Sequence, residues 1–203
     1  MSSPAAGYRG YADLAGQQVE GSDYKVHVRA NAQSSVAVIA PHGGGIERYT
    51  SEIARAIAGD DFNLLYVFEG IRPSENYAAL HLTSHRFDEP RCLELLGGCD
   101  HVVAIHGCSG EAQQAFVGGL DAGLKAVVAQ SMAALGVETL LADHPFPAID
   151  PMNICNRGRR GVGMQIEMTM PLRLQGPRDV LSAAIRSVLL ALPKHSCGGG
   201  SVQ

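Results

Sequence analysis

The stretch Val36-Ala37-Val38-Ile39-Ala40-Pro41-His42-Gly43-Gly44-Gly45-Ile46-Glu47 decides how the rest of the chain is read. It opens on a short, β-branched apolar run, the pattern of a buried strand rather than a helix. Three glycines follow, and without Cβ atoms they reach backbone angles closed to other residues. The turn can therefore fold back and bring His42 and Glu47 to one point. An imidazole and a carboxylate converging at the end of a buried strand supply half of a zinc site. Glycine-rich strand-to-helix turns also hold phosphate, so this stretch alone leaves the ligand open. A second strand with a similar ending, His101-Val102-Val103-Ala104-Ile105-His106-Gly107, adds His106 as a third candidate ligand.

The chain has 203 residues, 46% of them hydrophobic and 18% charged, which describes a globular protein with one substantial core. Net charge is -4 and the pI is near 6.0, so neither nucleic acid nor an anionic membrane is expected as a partner. No apolar run approaches the roughly 20 residues of a membrane span. The first residues lack a basic region followed by an apolar one, so no signal peptide is visible and synthesis in the cytoplasm is expected, with release by lysis left open. Five cysteines, unevenly spaced, read as reduced thiols rather than a disulfide framework.

Outward from the opening stretch, strands and helices alternate. Residues 1–20 read as an arm with a short helix over 11–18, and residues 23–29 as a half-exposed edge strand. A helix capped by Thr50 or Ser51 carries the stripe Ile53, Ala54, Ile57, Ala58 and stops at Gly59. Residues 64–68 form another strand; residues 71–86 are a long polar loop. Asp88 caps a helix over 90–96. Strands are expected over 101–105 and 114–117, then a helix over 122–135 with Leu124, Val127, Val128 and Leu135 facing inward. Residues 143–160 are loop, and 163–169 a strand that alternates Met164, Ile166 and Met168 with Gln165, Glu167 and Thr169. The helix over 179–192 buries Val180, Leu181, Ala184, Ile185, Val188 and Leu189, and 193–203 is a frayed tail. This is a single α/β domain with a mixed, mostly parallel sheet flanked by helices, expected as a monomer. Such sheets bind ligands beyond the carboxyl ends of their strands, where His42, His106 and Glu167 fall.

Two histidines and a carboxylate with a fourth position open form the ligand set of a hydrolytic zinc site. Zinc lowers the pKa of its bound water to about 7, and the attack still needs a base. Glu167 is the candidate, since it projects from the polar face of an otherwise apolar strand. The bland alternatives are a solvated strand face for Glu167, core histidines for His42 and His106, and a first-turn helix carboxylate for Glu47. His81, His85 and His144 compete as ligands, but none follows a buried strand. The basic run Asn153-Ile154-Cys155-Asn156-Arg157-Gly158-Arg159-Arg160 is either a solvated loop or a clamp whose guanidinium groups take substrate carboxylates. A Cys108–His106 nucleophile pair ranks low, because residues two apart on one turn rarely align for proton transfer. A carbohydrate-binding module would show aromatic platforms, and the chain has no Trp.

Several motifs together resemble the family of poly-γ-glutamate hydrolases. They are Ala40-Pro41-His42-Gly43-Gly44-Gly45-Ile46-Glu47 with Thr50-Ser51-Glu52-Ile53-Ala54, Leu80-His81-Leu82-Thr83-Ser84 with Phe87-Asp88-Glu89-Pro90, Ile105-His106-Gly107, Val117-Gly118-Gly119-Leu120-Asp121, Asn153-Ile154-Cys155-Asn156-Arg157, and Gly163-Met164-Gln165-Ile166-Glu167. The ordered match spans roughly residues 22–192. The resemblance implies a zinc carboxypeptidase-like fold and zinc-dependent hydrolysis of γ-glutamyl amide bonds in an anionic γ-linked glutamate polymer or peptide. It also implies His42, Glu47 and His106 as zinc ligands, Glu167 as general base, and Asn156-Arg157, with Arg159 and Arg160 nearby, as the hold on a substrate carboxylate. Cys108 and Cys155 depart from the expected pattern. A zinc deacylase of a small N-acyl amino acid and a metal-free polyanion-binding module are the alternatives.

Overall fold

The computed structural model describes residues 7–31, 34–60 and 64–192. Most of the expected arm falls within these bounds; the expected tail, His195 included, lies outside them.

Strand β2 (Val36–Gly44) runs through the middle of a seven-stranded sheet, fully buried until its last residue. Around it lie β1 (Tyr24–Arg29), β3 (Leu64–Gly70), β4 (His101–Cys108), β5 (Gln114–Gly118), β6 (Glu138–Leu140) and β7 (Met164–Thr169), in the spatial order β1-β3-β2-β4-β7-β5-β6. β2 is parallel to β3 and β4, and β4 to β7, so these four strands end on one side of the molecule. β5 and β6 are parallel to each other, while β1 and β5 run antiparallel to β3 and β7. The mixed, mostly parallel sheet expected from the alternation is what forms. Among the described residues, no helix is long and apolar enough to cross a membrane.

Each face of the sheet carries its own core. On one face, α2 (Thr50–Ala58), α5 (Ala122–Ala133), α6 (Met170–Gln175) and α7 (Arg178–Leu190) cover Val38, Ala40, Val103, Ile105, Met164 and Ile166. On the other, α1 (Tyr11–Ala15) and α4 (Pro90–Gly97) pack with Ala37, Ile39, Tyr66, Phe68, Val102 and Ala104. Helix α2 contributes Ile53 and Ile57, each at most 2% exposed, and fully burying such a side chain stabilises by roughly 1.5–3 kcal/mol.

Local differences from the sequence pattern have physical causes. Val127, Leu135 and Val180 face solvent. Helix α5 is apolar nearly all round, so spacing alone could not say that Leu124, Val128, Ala129 and Met132 would be its buried line. In α7 the buried line runs Leu181, Ile185, Leu189, which turns Val180 outward. The cap of α4 is Glu89, whose side chain accepts from the Cys92 N–H, because proline at the first helical position puts the cap immediately before it. Asp88 instead accepts from the Tyr11 N–H and ties the α1 segment down. Three short elements carried no readable signal: α3 (Asn76–Leu80), β6 and α6.

Candidate metal centre

By alternation from Val36, Val38 and Ala40, His42 would point to the same face as those residues, under α2. It does not. Between Ala40 and Gly43 the pairing of β2 with β3 shifts register, so that Pro41 and His42 share the space opposite one residue of β3. A bulge of this kind re-aims a side chain, and it accommodates a proline that cannot donate to the ladder. His42 thereby turns to the opposite face, where β4 presents His106 and β7 presents Glu167, paired as neighbours across the sheet.

The glycine turn then brings Glu47 back. Gly44 has φ 61°, and a Cβ at Gly43 would lie within 2.2 Å of the Ser51 hydroxyl. Glycine is required at both for conformation and close approach. The Glu47 N–H donates to the His42 carbonyl at 2.9 Å, and the Thr50 hydroxyl donates to the carbonyls of both residues. Glu47 Oε2 accepts from the Gly107 N–H at 2.7 Å, fixing the carboxylate against the end of β4.

His42 Nδ1 lies 3.0 Å from Glu47 Oε1 and 3.1 Å from His106 Nδ1. His106 Nδ1 is 3.7 Å from Glu47 Oε2. All three residues are buried, and their ligand atoms lie within 4.8 Å of one another. The tautomers follow from the outer contacts. His42 Nε2 faces the Leu82 carbonyl at 2.8 Å, which only accepts, so the proton sits on Nε2 and the Nδ1 lone pair points inward. His106 Nε2 faces the Ser84 hydroxyl at 3.5 Å, a group that can either donate or accept, and turns Nδ1 toward His42 and Glu47. Two inward-facing imidazole nitrogens converging on a carboxylate favour a positive charge seated between them. Zinc bound at 2.0–2.1 Å by nitrogen in tetrahedral geometry sets neighbouring donors about 3.3 Å apart. The donor set fits zinc, and the Leu82 contact is the kind of outer partner that orients ligating histidines.

The electrostatics agree. Burial raises the Glu47 pKa, yet the two histidines more than reverse this and hold the carboxylate well below its usual range. Burial lowers His42, and Glu47 with the Leu82 carbonyl turns the balance upward. Glu167, 8% exposed, is pushed up to about 6 by burial and by Glu47, against the pull of His106 and His42. A carboxylate near neutral pH is suited to accept and return a proton.

These groups open into a cavity of about 950 Å³. Its lining includes Tyr77, His81, His85 and Cys108, the segment Pro145-Phe146-Pro147-Ala148, Asn153, Gln165 and Arg173. The His81 ring lies tilted against that of His42 with centroids 4.2 Å apart, and burial pushes its pKa down to about 3, so it stays neutral. His144 packs against Phe116 outside the trio, and His85 borders the cavity without joining it. Asn153 and Gln165 bond to each other, and Gln165 reaches toward Glu167 at 3.4 Å.

The structure does not bring Asn156, Arg157, Arg159 or Arg160 to the cavity. Asn156 donates to the carbonyls of Ala148 and Asp150 and accepts from the N–H groups of Leu120 and Gly163, which fixes the Pro145–Ala148 wall from behind. Arg159 pairs with Asp100 through contacts of 2.6–2.9 Å, and Arg160 reaches Asp121, the N-cap of α5. Arg157 is half-buried where its charge is felt by the Cys92 thiol. Arg173 and Asn153 are the site residues that the sequence reading did not single out. For Asn153 the signal was present, since it opens the quoted basic run; a lone arginine just after the last strand gives none.

Residues 8–178 match the family model "Poly-gamma-glutamate hydrolase". The UPF0714 protein YndL of Bacillus subtilis (strain 168) is 38% identical over 168 residues, 82% of this chain but 65% of YndL, so the chain spans just under two thirds of that relative. Among solved structures, a bacteriophage poly-γ-glutamate hydrolase superposes with a TM-score of 0.81 at 27% identity, covering 89% of this chain and 95% of that one. A zinc-free form of YndL superposes at 0.78 with 35% identity, covering 90% and 95%. An N-formylglutamate amidohydrolase from Ralstonia eutropha JMP134, 10% identical with a TM-score of 0.55 over 83% of this chain and 96% of that one, shares the fold. With the model matched over most of the chain and that YndL structure covered almost end to end, the chain belongs to the poly-γ-glutamate hydrolase family.

Proposed function

We propose that the protein is a zinc-dependent hydrolase that cleaves γ-glutamyl amide bonds in poly-γ-glutamate or related γ-linked peptides. The observation that carries this reading is the convergence of two imidazole nitrogens and one carboxylate beside Glu167, at the wall of a cavity. His42, Glu47 and His106 would hold the metal. Bound there, zinc would polarise the scissile carbonyl and make water nucleophilic at neutral pH. Glu167 accepts the proton of the attacking water and returns it to the leaving amine nitrogen. Gln165 and Asn153 hold Glu167's flank in place, and the Gly107 N–H keeps Glu47 oriented toward the histidines. Family membership and the similarity to the phage enzyme support the choice of substrate. The chemistry is tested by incubating the zinc-loaded protein with γ-linked and α-linked polyglutamate of equal length. Chain shortening of the γ-linked polymer alone is expected; equal cleavage of both, or of neither, would remove the substrate assignment.

A further inference from the structure

Arg173 has no part in the steps above, yet its placement is costly. It is 2% exposed in α6, and it lines the cavity. Nε donates to the Met168 carbonyl at 3.0 Å, Nη2 to the Cys108 carbonyl at 3.1 Å, and Nη1 to the Arg48 carbonyl. These contacts fix the plane of the guanidinium but use only three of its five N–H groups. None of the three acceptors carries a charge, and no ion pair joins Arg173 to an acid among the described residues. The guanidinium lies against Gly107, where a Cβ would come within 2.3 Å of its central carbon. Glycine after the ligand His106 thus leaves a seat for this one side chain.

A buried cation without a bonded counter-ion is expensive, and such charges are normally paired. The other basic groups lining the cavity are His42, His81, His85 and His106, so Arg173 is the one permanent cation among the described lining residues. Glu47 and Glu167 face the same space and would repel an anionic substrate. Resting on the reading that the substrate is γ-linked glutamate, we propose that Arg173 is the receptor for a substrate carboxylate, the α-carboxylate of a γ-linked residue seated in the cavity. A polymer joined through its side chains bears one free α-carboxylate on every residue. The planar fork of a guanidinium, already oriented by three carbonyls, pairs with that group bidentately.

The probe is glutarate, a dicarboxylate without a cleavable bond, compared with its neutral analogue glutaramide. The full-length protein as purified, labelled with nitrogen-15 in arginine, is titrated with each. The Arg173 guanidinium resonances should shift with glutarate and stay put with glutaramide. Arg173→Gln should weaken glutarate binding at least tenfold, and Arg173→Lys should not restore it, because the ammonium lacks the fork. Unmoved Arg173 resonances at saturating glutarate would overturn the proposal without any variant. So would undiminished glutarate binding in an Arg173→Gln protein that still unfolds cooperatively. The two readings fail separately: cleavage of γ-linked polymer with an unchanged KM in Arg173→Gln removes only the receptor, whereas glutarate binding through Arg173 without any cleavage removes only the hydrolase.

Discussion

At the scale of single residues, the division of labour between Glu47 and Glu167 rests on their surroundings. Both are buried, but Glu47 is caught between two imidazoles and the Gly107 N–H, which favour its charge. Among the described residues Glu167 has only Gln165 within hydrogen-bonding reach, so burial dominates and its pKa rises to about 6. These surroundings suit one carboxylate to the ligand role and the other to the proton-carrying role proposed for them. Glu167→Gln keeps the shape and removes the base, so kcat on γ-linked polyglutamate should fall by about 10²–10⁴-fold, or roughly 3–5 kcal/mol of barrier. Zinc content, measured beside it, should remain that of the parent protein; loss of metal in this variant would make Glu167 a ligand. His42, His106 and Glu167 were legible because each lies on a buried strand in a recognisable motif, and Glu47 because it closes the glycine turn that follows one. The arginines were not, since Asp100 and Asp121, which engage Arg159 and Arg160, are far from them in sequence. Nothing in the residues around Arg173 distinguishes it from a surface arginine before α6 turns it inward.

At the scale of elements, the glycine turn needs a firm floor, and Glu69 at the end of β3 supplies part of it. Glu69 pairs with Lys25 of β1 across the ladder and with Gly43 of β2 on the other side. Its carboxylate takes both Nη groups of Arg55 from α2 at 2.9 and 3.0 Å, with Lys25 Nζ at 3.3 Å. Burial raises its pKa, but Arg55, Ser51 and Lys25 outweigh this and hold it at about 2. A depressed folded-state pKa contributes stability that is present above the unfolded value near 4.5 and lost as pH falls toward 2. The urea midpoint of the protein should therefore drop between pH 5 and pH 2, and Glu69→Gln should flatten that slope while lowering the midpoint at pH 7. A slope unchanged by the substitution would assign the acid sensitivity to other groups. The long strands and amphipathic helices were readable from periodicity, within a few residues at their ends. The short elements α3, β6 and α6 were not, because three to six residues carry too little pattern and tertiary contacts decide them.

At the scale of the whole molecule, the fold class followed from the alternation of strands and helices, but the site did not follow from the fold. Parallel β2, β4 and β7 bring their carboxyl ends together, and the direction of β7 becomes known only from its pairing with β4. The bulge at Pro41–His42 was equally hidden, and without it alternation would aim His42 under α2 and no trio would form. The central claim is that this assembled trio makes the protein a zinc-dependent γ-glutamyl hydrolase. Its most direct test is the initial rate of γ-linked polyglutamate cleavage by chelator-treated protein as zinc is added back in fractions of an equivalent. No cleavage is expected before addition, and then a rate that rises linearly and levels off at one zinc per chain. Cleavage that persists through chelation, or a protein that takes up one zinc and still leaves the γ-linked polymer intact, would contradict it.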